Sequence, residues 1–573
     1  MPPGNSSSRS ARAVLVPLVL LAALARGGEA FAAAPYGEAS VLSSDRGVVV
    51  STVPEASRAG AELLAAGGNA MDAAIATALA LAVVFPQAGN LAGGGFLVAR
   101  TPDGVVRALD FRETAPARAT RDMFLGRDGR PVENASTATA LAVGTPGSVR
   151  GYAEAHRVLG RLSWARVVAP AERLAREGFL VSPGLARELV EERAHLARWE
   201  GTRRVLFSGG EPLRAGALLR QPELAATLAR IARGGPDAFH RGALAERLVA
   251  FVQAHGGVLS AEDLAGYQPA WRPPEEIRFG RFTVHTMPLP SSAGLVFRSV
   301  LAQLEAARGT DVPPLDAEGY HLLLEAERRA YADRNGALGD ADCVEVPLAN
   351  LLAPARLAEL GAGIDLSRAT PSARLTEPGR EREETTHLSV ATPDGFAVSL
   401  TTTLNGNFGN GAIVPGLGVL LNNEMDDFAV APGVANLYDL VQGSSNEVRP
   451  GARPLSSMYP AIVERDGRPY LVAGAPGGST IPTTVLQVLL RVFSGEGLGE
   501  AVAAPRLHHQ HTPDVVFVER GAVPESILAS LRAKGHVLRE RAPIGKVHAV
   551  AFDGRGRVVG AADPRGYGTP AAP

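Results

Sequence analysis

The sequence predicts a mixed α/β (α+β) fold, on three observations. Ala70 to Val84 is apolar nearly all round and follows Asn69, which is the pattern of a capped helix buried on every side. Residues from about 150 to 275 carry mostly helical patterns. Beyond 385 the pattern turns strongly β. There Thr386 to Thr392 alternates, Pro393-Asp394-Gly395 turns, and Phe396 to Thr403 returns as a hairpin.

The elements follow in order. Gly47 to Val53 reads as a short strand, and Ser57 to Gly68 as a helix that stops at Gly67-Gly68. Pro86 ends the apolar helix. The glycine-rich stretch Gly89 to Gly95 then leads into strand Phe96 to Arg100, and Val105 to Phe111 returns after Pro102-Asp103-Gly104. Helices are expected over Ser163 to Glu177, Pro183 to Ala197, Gln221 to Ala232 and Gly242 to His255. Strand Phe282 to Thr286 comes next, then helices Ala293 to Ala307 and Asp316 to Asp333. Ser367 to Glu384 is polar and charged and reads as an exposed, flexible linker. Beyond the hairpin, strands are expected near Val419 to Asn422, Ala461 to Glu464 and Tyr470 to Ala473, and a buried helix from about Thr484 to Phe493. The tail holds strands Ala549 to Phe552 and Val558 to Ala562, and no internal repeat is visible.

Composition bounds the function. The 573 residues are 46% hydrophobic and 20% charged, which suits a globular chain with a large core and excludes both disorder and a multi-span membrane protein. Lys+Arg is 57 against Asp+Glu 59, so no global attraction to nucleic acid follows. Of the basic residues only Lys534 and Lys546 are lysine, and the arginines are scattered. Cys343 is the single cysteine, which rules out internal disulfides; with no nearby His it reads as buried filler. At the start, Arg9 and Arg12 precede the apolar run Ala13 to Ala25, and small residues follow to Ala34. That is a secretory leader over residues 1–34, with an uncleaved anchor as the alternative. It places the mature protein in the periplasm or outside the cell with no stable membrane span.

The chemistry centres on Glu384-Thr385-Thr386-His387, where an acidic linker abuts a strand that begins with a hydroxyl. If the bond before Thr385 were cut, Thr385 would carry both a hydroxyl and a free α-amine. Such an amine titrates near 7.7–8.0, so part of it is already a base at neutral pH. It can take the hydroxyl proton and so activate the nucleophile. Thr-Thr-His alone is a weak signal. The ordered set around it is strong: Thr403-Leu404-Asn405, Asn422-Asn423-Glu424-Met425-Asp426-Asp427-Phe428, Arg453-Pro454-Leu455-Ser456-Ser457-Met458 and Gly474-Ala475-Pro476-Gly477-Gly478-Ser479. Upstream stand Gly67-Gly68-Asn69-Ala70-Met71-Asp72, Phe111-Arg112-Glu113-Thr114-Ala115-Pro116 and Tyr331-Ala332-Asp333-Arg334. Ala561-Ala562-Asp563-Pro564-Arg565 closes the series.

Over residues 44 to 566 this set resembles the γ-glutamyltransferases (γ-glutamyltranspeptidases). The resemblance implies an N-terminal-nucleophile hydrolase αββα sandwich that cuts itself between Glu384 and Thr385. Residues 35–384 would be the large subunit and 385–573 the small one, and the two would stay together as a heterodimer. It further implies Thr385 as nucleophile, Thr403 as its hydrogen-bonding support, and Gly477 and Gly478 as backbone donors to the oxyanion. Arg112, Ser456 and Ser457 would take the substrate α-carboxylate. Glu424 and Asp427, helped by Asn405, would take the α-ammonium at the opposite end of the site. Tyr438 would cover the nucleophile from a lid within Ala431 to Arg453. Expected substrates are γ-glutamyl compounds such as glutathione, with water or amino acid and peptide amines as acceptors and no cofactor or metal.

Three departures stand out: Ala92-Gly93-Gly94-Gly95 for a run of four glycines, Ser291-Ser292-Ala293-Gly294 for Ser-Ser-Gly-Gly, and Glu424 where some members carry Gln. The first two bear on packing more than on activity.

Other motifs read as structure. His508-His509-Gln510-His511 lacks a carboxylate or Cys at ligand spacing. Gly93 to Gly95 has the reverse element order for a dinucleotide loop. Asp340, Asp342, His387 and the sequon Asn134-Ala135-Ser136 read the same way. The alternatives kept open are a cephalosporin (glutaryl) acylase or poly-γ-glutamate processing enzyme on the same scaffold, and an unprocessed binding protein.

Overall fold

The computed structural model describes residues 36–309, 314–372, 385–431 and 433–573. The leader and the residues on the amino side of Thr385, Glu384 included, lie outside the described residues.

Helix Ala70–Val84 is buried at every position, as its composition requires. Asn69 caps it by accepting from the Met71 and Asp72 amides, while Asp72 accepts from the Asn69 amide. The preceding helix, Pro54–Ala65, starts three residues earlier than expected because Pro54 is preorganised for the first turn. Pro183 to Ala197 is not one helix: it breaks into Pro183–Glu191 and Arg193–Leu196. Cys343 is exposed, contrary to expectation. It sits in a turn in which its amide bonds Asp340 O at 2.9 Å and its Sγ lies 3.6 Å from Asp340 Oδ2.

Two seven-stranded sheets form the centre. One runs Ser40–Ser44, Val558–Ala562, His548–Phe552, Arg468–Gly474, Ala461–Arg465, Phe282–Thr286, Glu275–Phe279. The other runs Pro570–Ala571, Val48–Ser51, Thr386–Ala391, Ala397–Thr403, Gly94–Arg100, Val106–Asp110, Ala270–Arg272. The expected hairpin is central in the second sheet, in register Thr386↔Thr402 to Ala391↔Ala397. Its alternation is resolved into two buried faces. Leu388, Val390, Val398 and Leu400 join the helical core that contains Ala70–Val84. His387, Ser389 and Ser399 face the other sheet: Ser389 Oγ donates to His548 O at 2.9 Å and Ser399 Oγ to Ala473 O at 3.1 Å. A Cβ on Gly474 would strike the His387 ring, so glycine there sets the close approach of the sheets. His387 is thus structural, bonded to Thr401 and Ser389.

Helices Pro54–Ala65 and Ala70–Val84 cover the second sheet; Ala293–Arg308, Ile481–Phe493 and Leu498–Ala503 cover the first. The layering is αββα. No helix among the described residues is long and apolar enough to cross a membrane.

Candidate active site

The site is built where strand ends and loops meet at one edge of the sandwich. Thr385 immediately precedes strand Thr386–Ala391, and its neighbour is anchored between the sheets. Thr386 Oγ1 lies 2.8 Å from Thr52 Oγ1, which lies 3.2 Å from His548 Nε2. Thr403 ends the returning strand, and its Oγ1 accepts from the Asn405 amide at 2.9 Å. Both threonines line one cavity with Arg112, Arg334, Asn405, Glu424, Asp427, Tyr438, Ser456, Ser457 and Gly478. Every expected site residue except Gly477 therefore lines it, and Gly477 is covalently next to Gly478. The cavity is small, about 20 Å³, room for a single water.

Local sequence explains each placement. Asn422 ties its segment to Ala92 O and Gly144 O (2.8 and 2.9 Å), and its Oδ1 caps Glu424 N at 3.0 Å. This starts the 3-10 turn Glu424–Asp427. At three residues per turn, positions three apart eclipse, so Glu424 and Asp427 share a face. Arg112 leaves the end of strand Val106–Asp110 with its amide on Asp110 Oδ1 and its carbonyl accepting from Tyr267 OH. Ser456 is docked on the Pro290–Ser292 loop. Ser292 donates to Ser456 O through both N and Oγ at 2.7 Å, and Ser291 Oγ donates to Met458 O at 2.7 Å. The two serines read as packing residues thus hold the backbone of the candidate carboxylate site.

Gly477 (φ 138°) and Gly478 (φ 54°) adopt conformations that disfavour side chains, and a Cβ on Gly478 would run into the Tyr438 ring. Tyr438 is buried and lines the cavity, and its hydroxyl donates to Asn405 O at 2.9 Å.

One expectation is corrected. Cation and carboxylates do not stand at opposite ends: Arg112 donates directly to Glu424 through Nη1 and to Asp427 through Nη2. Glu113, which the sequence reading left unassigned, is buried 4.0 Å from the same guanidinium and beside the Glu424 carboxyl. It fits because a side chain on Gly94 would occupy its place. Three buried carboxyls thus crowd one cation. Burial, only partly offset by Arg112, pushes Glu113 up to about 7, Glu424 well above the usual carboxylate range, and Asp427 upward. Burial works against the Arg112 charge as well, but Glu424, Asp427 and Glu113 outweigh it and raise its pKa.

A stability test follows with a definite sign. The native state keeps protons on these carboxyls that the unfolded chain has released by about pH 4.5, so stability falls as pH rises from there toward 7. Glu113→Gln should flatten that fall. Its melting temperature should drop less than wild type between pH 5 and pH 8, and an equal drop would remove Glu113 from this account.

Sequence reading also missed Arg334. It lies in a matched motif, three residues after Tyr331 on helix Ala317–Ala337, and the i, i+3 spacing puts both on one face. The remaining motifs are structural. His508 bonds Thr483 and Gln510, the His509 amide bonds Glu327, and Asp342 pairs with Arg272 at 2.6 Å. Ser136 Oγ donates to Asp426 at 2.6 Å.

Comparison with known proteins agrees with this geometry. The family model described as gamma-glutamyltranspeptidase matches residues 56–572. The chain is 42% identical to a glutathione hydrolase proenzyme of Escherichia coli (strain K12) over 530 residues, 91% of each chain. It is 37% identical to an acylase ACY 1 proenzyme of Pseudomonas sp. (strain SE83), over 93% of this chain and 95% of that one. Among solved structures, the cephalosporin acylase from Bacillus halodurans superposes with a TM-score of 0.82 at 28% identity, covering 93% and 96% of the two chains. The fold is that of the N-terminal-nucleophile hydrolases. With a family model spanning nearly the whole described chain and the conjunction of Thr385, Arg112, Asp427 and the Gly477–Gly478 turn around one cavity, the protein belongs to the γ-glutamyltranspeptidase family.

Proposed function

We propose that the protein is an exported γ-glutamyl hydrolase and transpeptidase that acts on glutathione and related compounds after cutting itself between Glu384 and Thr385. The observation that carries this is the composition of the single cavity at Thr385. It holds two guanidinium cations, Arg112 and Arg334, two carboxyl groups and two serine hydroxyls suited to a free amino acid headgroup. Residues 35–384 would form the large subunit and 385–573 the small one.

The headgroup replaces the internal ion pair. Its α-carboxylate takes the planar fork of Arg112 with Ser456 and Ser457. Its α-ammonium takes Glu424 and Asp427, together with Asn405 Oδ1, which is buried and has no partner. With about 20 Å³ to spare, entry requires the Tyr438 segment to lift and Arg112 to turn from its carboxylates. The γ-carbonyl then lies over Thr385. The Thr385 amine takes the hydroxyl proton and Oγ1 attacks the carbonyl carbon. The amide N–H groups of Gly477 and Gly478 take the charge on its oxygen. The tetrahedral adduct collapses to a γ-glutamyl ester as the amine departs with a proton. Water resolves the ester in hydrolysis, and an amino acid or peptide amine resolves it in transpeptidation. Thr403 supports the nucleophile from the neighbouring strand. Export to the periplasm or medium rests on the leader.

A second reading, a cephalosporin (glutaryl) acylase, is supported by the acylase ACY 1 proenzyme at 37% identity and by the cephalosporin acylase structure at TM-score 0.82 and 28% identity. Glutaryl substrates lack the α-ammonium, which would leave Glu424 and Asp427 without a ligand. Turnover of L-γ-glutamyl and glutaryl p-nitroanilides decides. The γ-glutamyl compound is expected to be cleaved at least tenfold faster by kcat/KM, and faster glutaryl cleavage would replace this reading with the acylase. N-terminal sequencing of the smaller fragment should begin at Thr385.

A further inference from the structure

Helix Ala317–Ala337 reaches the cavity with Arg334 and is anchored beside it through Tyr331. The Tyr331 hydroxyl donates to Ser479 O, beside Gly478. Arg334 is buried, and its Nη2 donates to Ser457 Oγ at 3.2 Å. Its Nε donates to Ser292 Oγ at 3.3 Å, and its Nη1 to Asn335 Oδ1 at 3.1 Å and Gln442 Oε1 at 3.3 Å. All four acceptors are neutral, whereas Arg112 lies on two carboxylates. Burial lowers the pKa of Arg334 to about 10, so it remains a full cation at neutral pH.

A hydroxyl has one proton to give and two lone pairs. Ser457 Oγ accepts from Arg334, which leaves its proton for another acceptor. A charged donor behind a hydroxyl also strengthens what that hydroxyl donates. The same guanidinium is fixed through Ser292, which holds the Ser456 carbonyl, and through Gln442, whose Nε2 donates to Asp427 O at 3.0 Å. The charge inventory points the same way. When a zwitterionic headgroup enters, its carboxylate competes with Glu424 and Asp427 for Arg112. Arg334 is then the cation of the cavity that no carboxylate has engaged by hydrogen bond.

We propose that Arg334 is a positioning residue for the α-carboxylate of the substrate: it holds the Ser457 hydroxyl with its proton presented to that carboxylate and supplies a second positive charge behind it. The inference rests on the γ-glutamyl reading above.

The test uses the split enzyme and L-γ-glutamyl-p-nitroanilide, with Arg334→Met, Ser457→Ala and the double variant. Arg334→Met should raise KM about tenfold or more while kcat changes less than threefold. Ser457→Ala should also raise KM, and the double variant should exceed the larger single effect by no more than about twofold, because both act through one bond. A fall in kcat at constant KM, or KM effects that multiply, overturns the proposal. If Arg334→Met does not yield folded, split protein, Arg334→Lys decides. An ammonium cannot span Ser292, Gln442 and Ser457 together, so KM should rise severalfold with kcat held. An unchanged KM in that variant also overturns it. Wild-type enzyme that leaves γ-glutamyl-p-nitroanilide uncut would sink the parent reading instead, and this inference with it.

Discussion

Thr385→Ala should leave the chain as one band on a denaturing gel and abolish γ-glutamyl turnover, by at least about 10⁴-fold, as removal of a nucleophile does elsewhere. Both losses have one cause, because the same oxygen is proposed to attack the peptide bond in self-cleavage and the substrate in turnover. The fold should survive. Thr386 keeps its bond to Thr52 and its pairing with Thr402, and the hairpin Thr386–Ala391 with Ala397–Thr403 is buried on both faces independently of the Thr385 hydroxyl. Thermal unfolding within a few degrees of wild type therefore accompanies the loss. Thr385→Ser keeps the hydroxyl and should still split and turn over. A normally split Thr385→Ala protein would contradict the mechanism, and an active protein with a continuous backbone through 384 and 385 would end it.

Arg112 carries the second large effect, in two separable parts. Arg112→Lys keeps a charge but replaces a planar fork with a point donor, so KM for γ-glutamyl substrates should rise about tenfold to a hundredfold, with a smaller change in kcat. Arg112→Leu removes the counter-charge from Glu424, Asp427 and Glu113. Breaking a buried pair by deleting one partner costs about 3–5 kcal/mol. Without the arginine the folded-state pKa of each carboxyl rises further above its unfolded value. Protonation relieves the repulsion at low pH, so the destabilisation should be larger at pH 8 than at pH 5. Equal melting-temperature losses at the two pH values would show that the three carboxyls do not depend on Arg112. An unchanged KM in Arg112→Lys would take Arg112 out of headgroup recognition.

Elements whose signal is local were legible in the sequence. Ala70–Val84 was readable because its cap and its composition lie in one stretch of chain. Phe282–Thr286 and Val558–Ala562 fall at the expected bounds. Ser40–Ser44 carries no such pattern and is defined by pairing with a distant partner, Val558–Ala562, whereas Glu275–Phe279, which the sequence reading did not name, is held by the hairpin it forms with the adjacent Phe282–Thr286. Cys343 was misplaced for a different reason, being read as buried filler from its residue type and neighbours alone. Its exposure depends on a turn closed by Asp340, which composition does not report.

The site divides along the same line. Motifs in a fixed order along the chain carried the resemblance that named Thr385, Arg112, Glu424, Asp427, Ser456, Ser457 and the glycine pair as candidates, and each has the functional group its role demands. Which of these groups touch was settled by tertiary structure. The direct contact of Arg112 with Glu424 and Asp427, the crowding by Glu113, and the reach of Arg334 to Ser457 across 123 positions all depend on long-range packing. A side chain's chemistry is a property of the residue and can be read one letter at a time. Its charge state and its hydrogen-bond partner are properties of the surroundings that burial assembles.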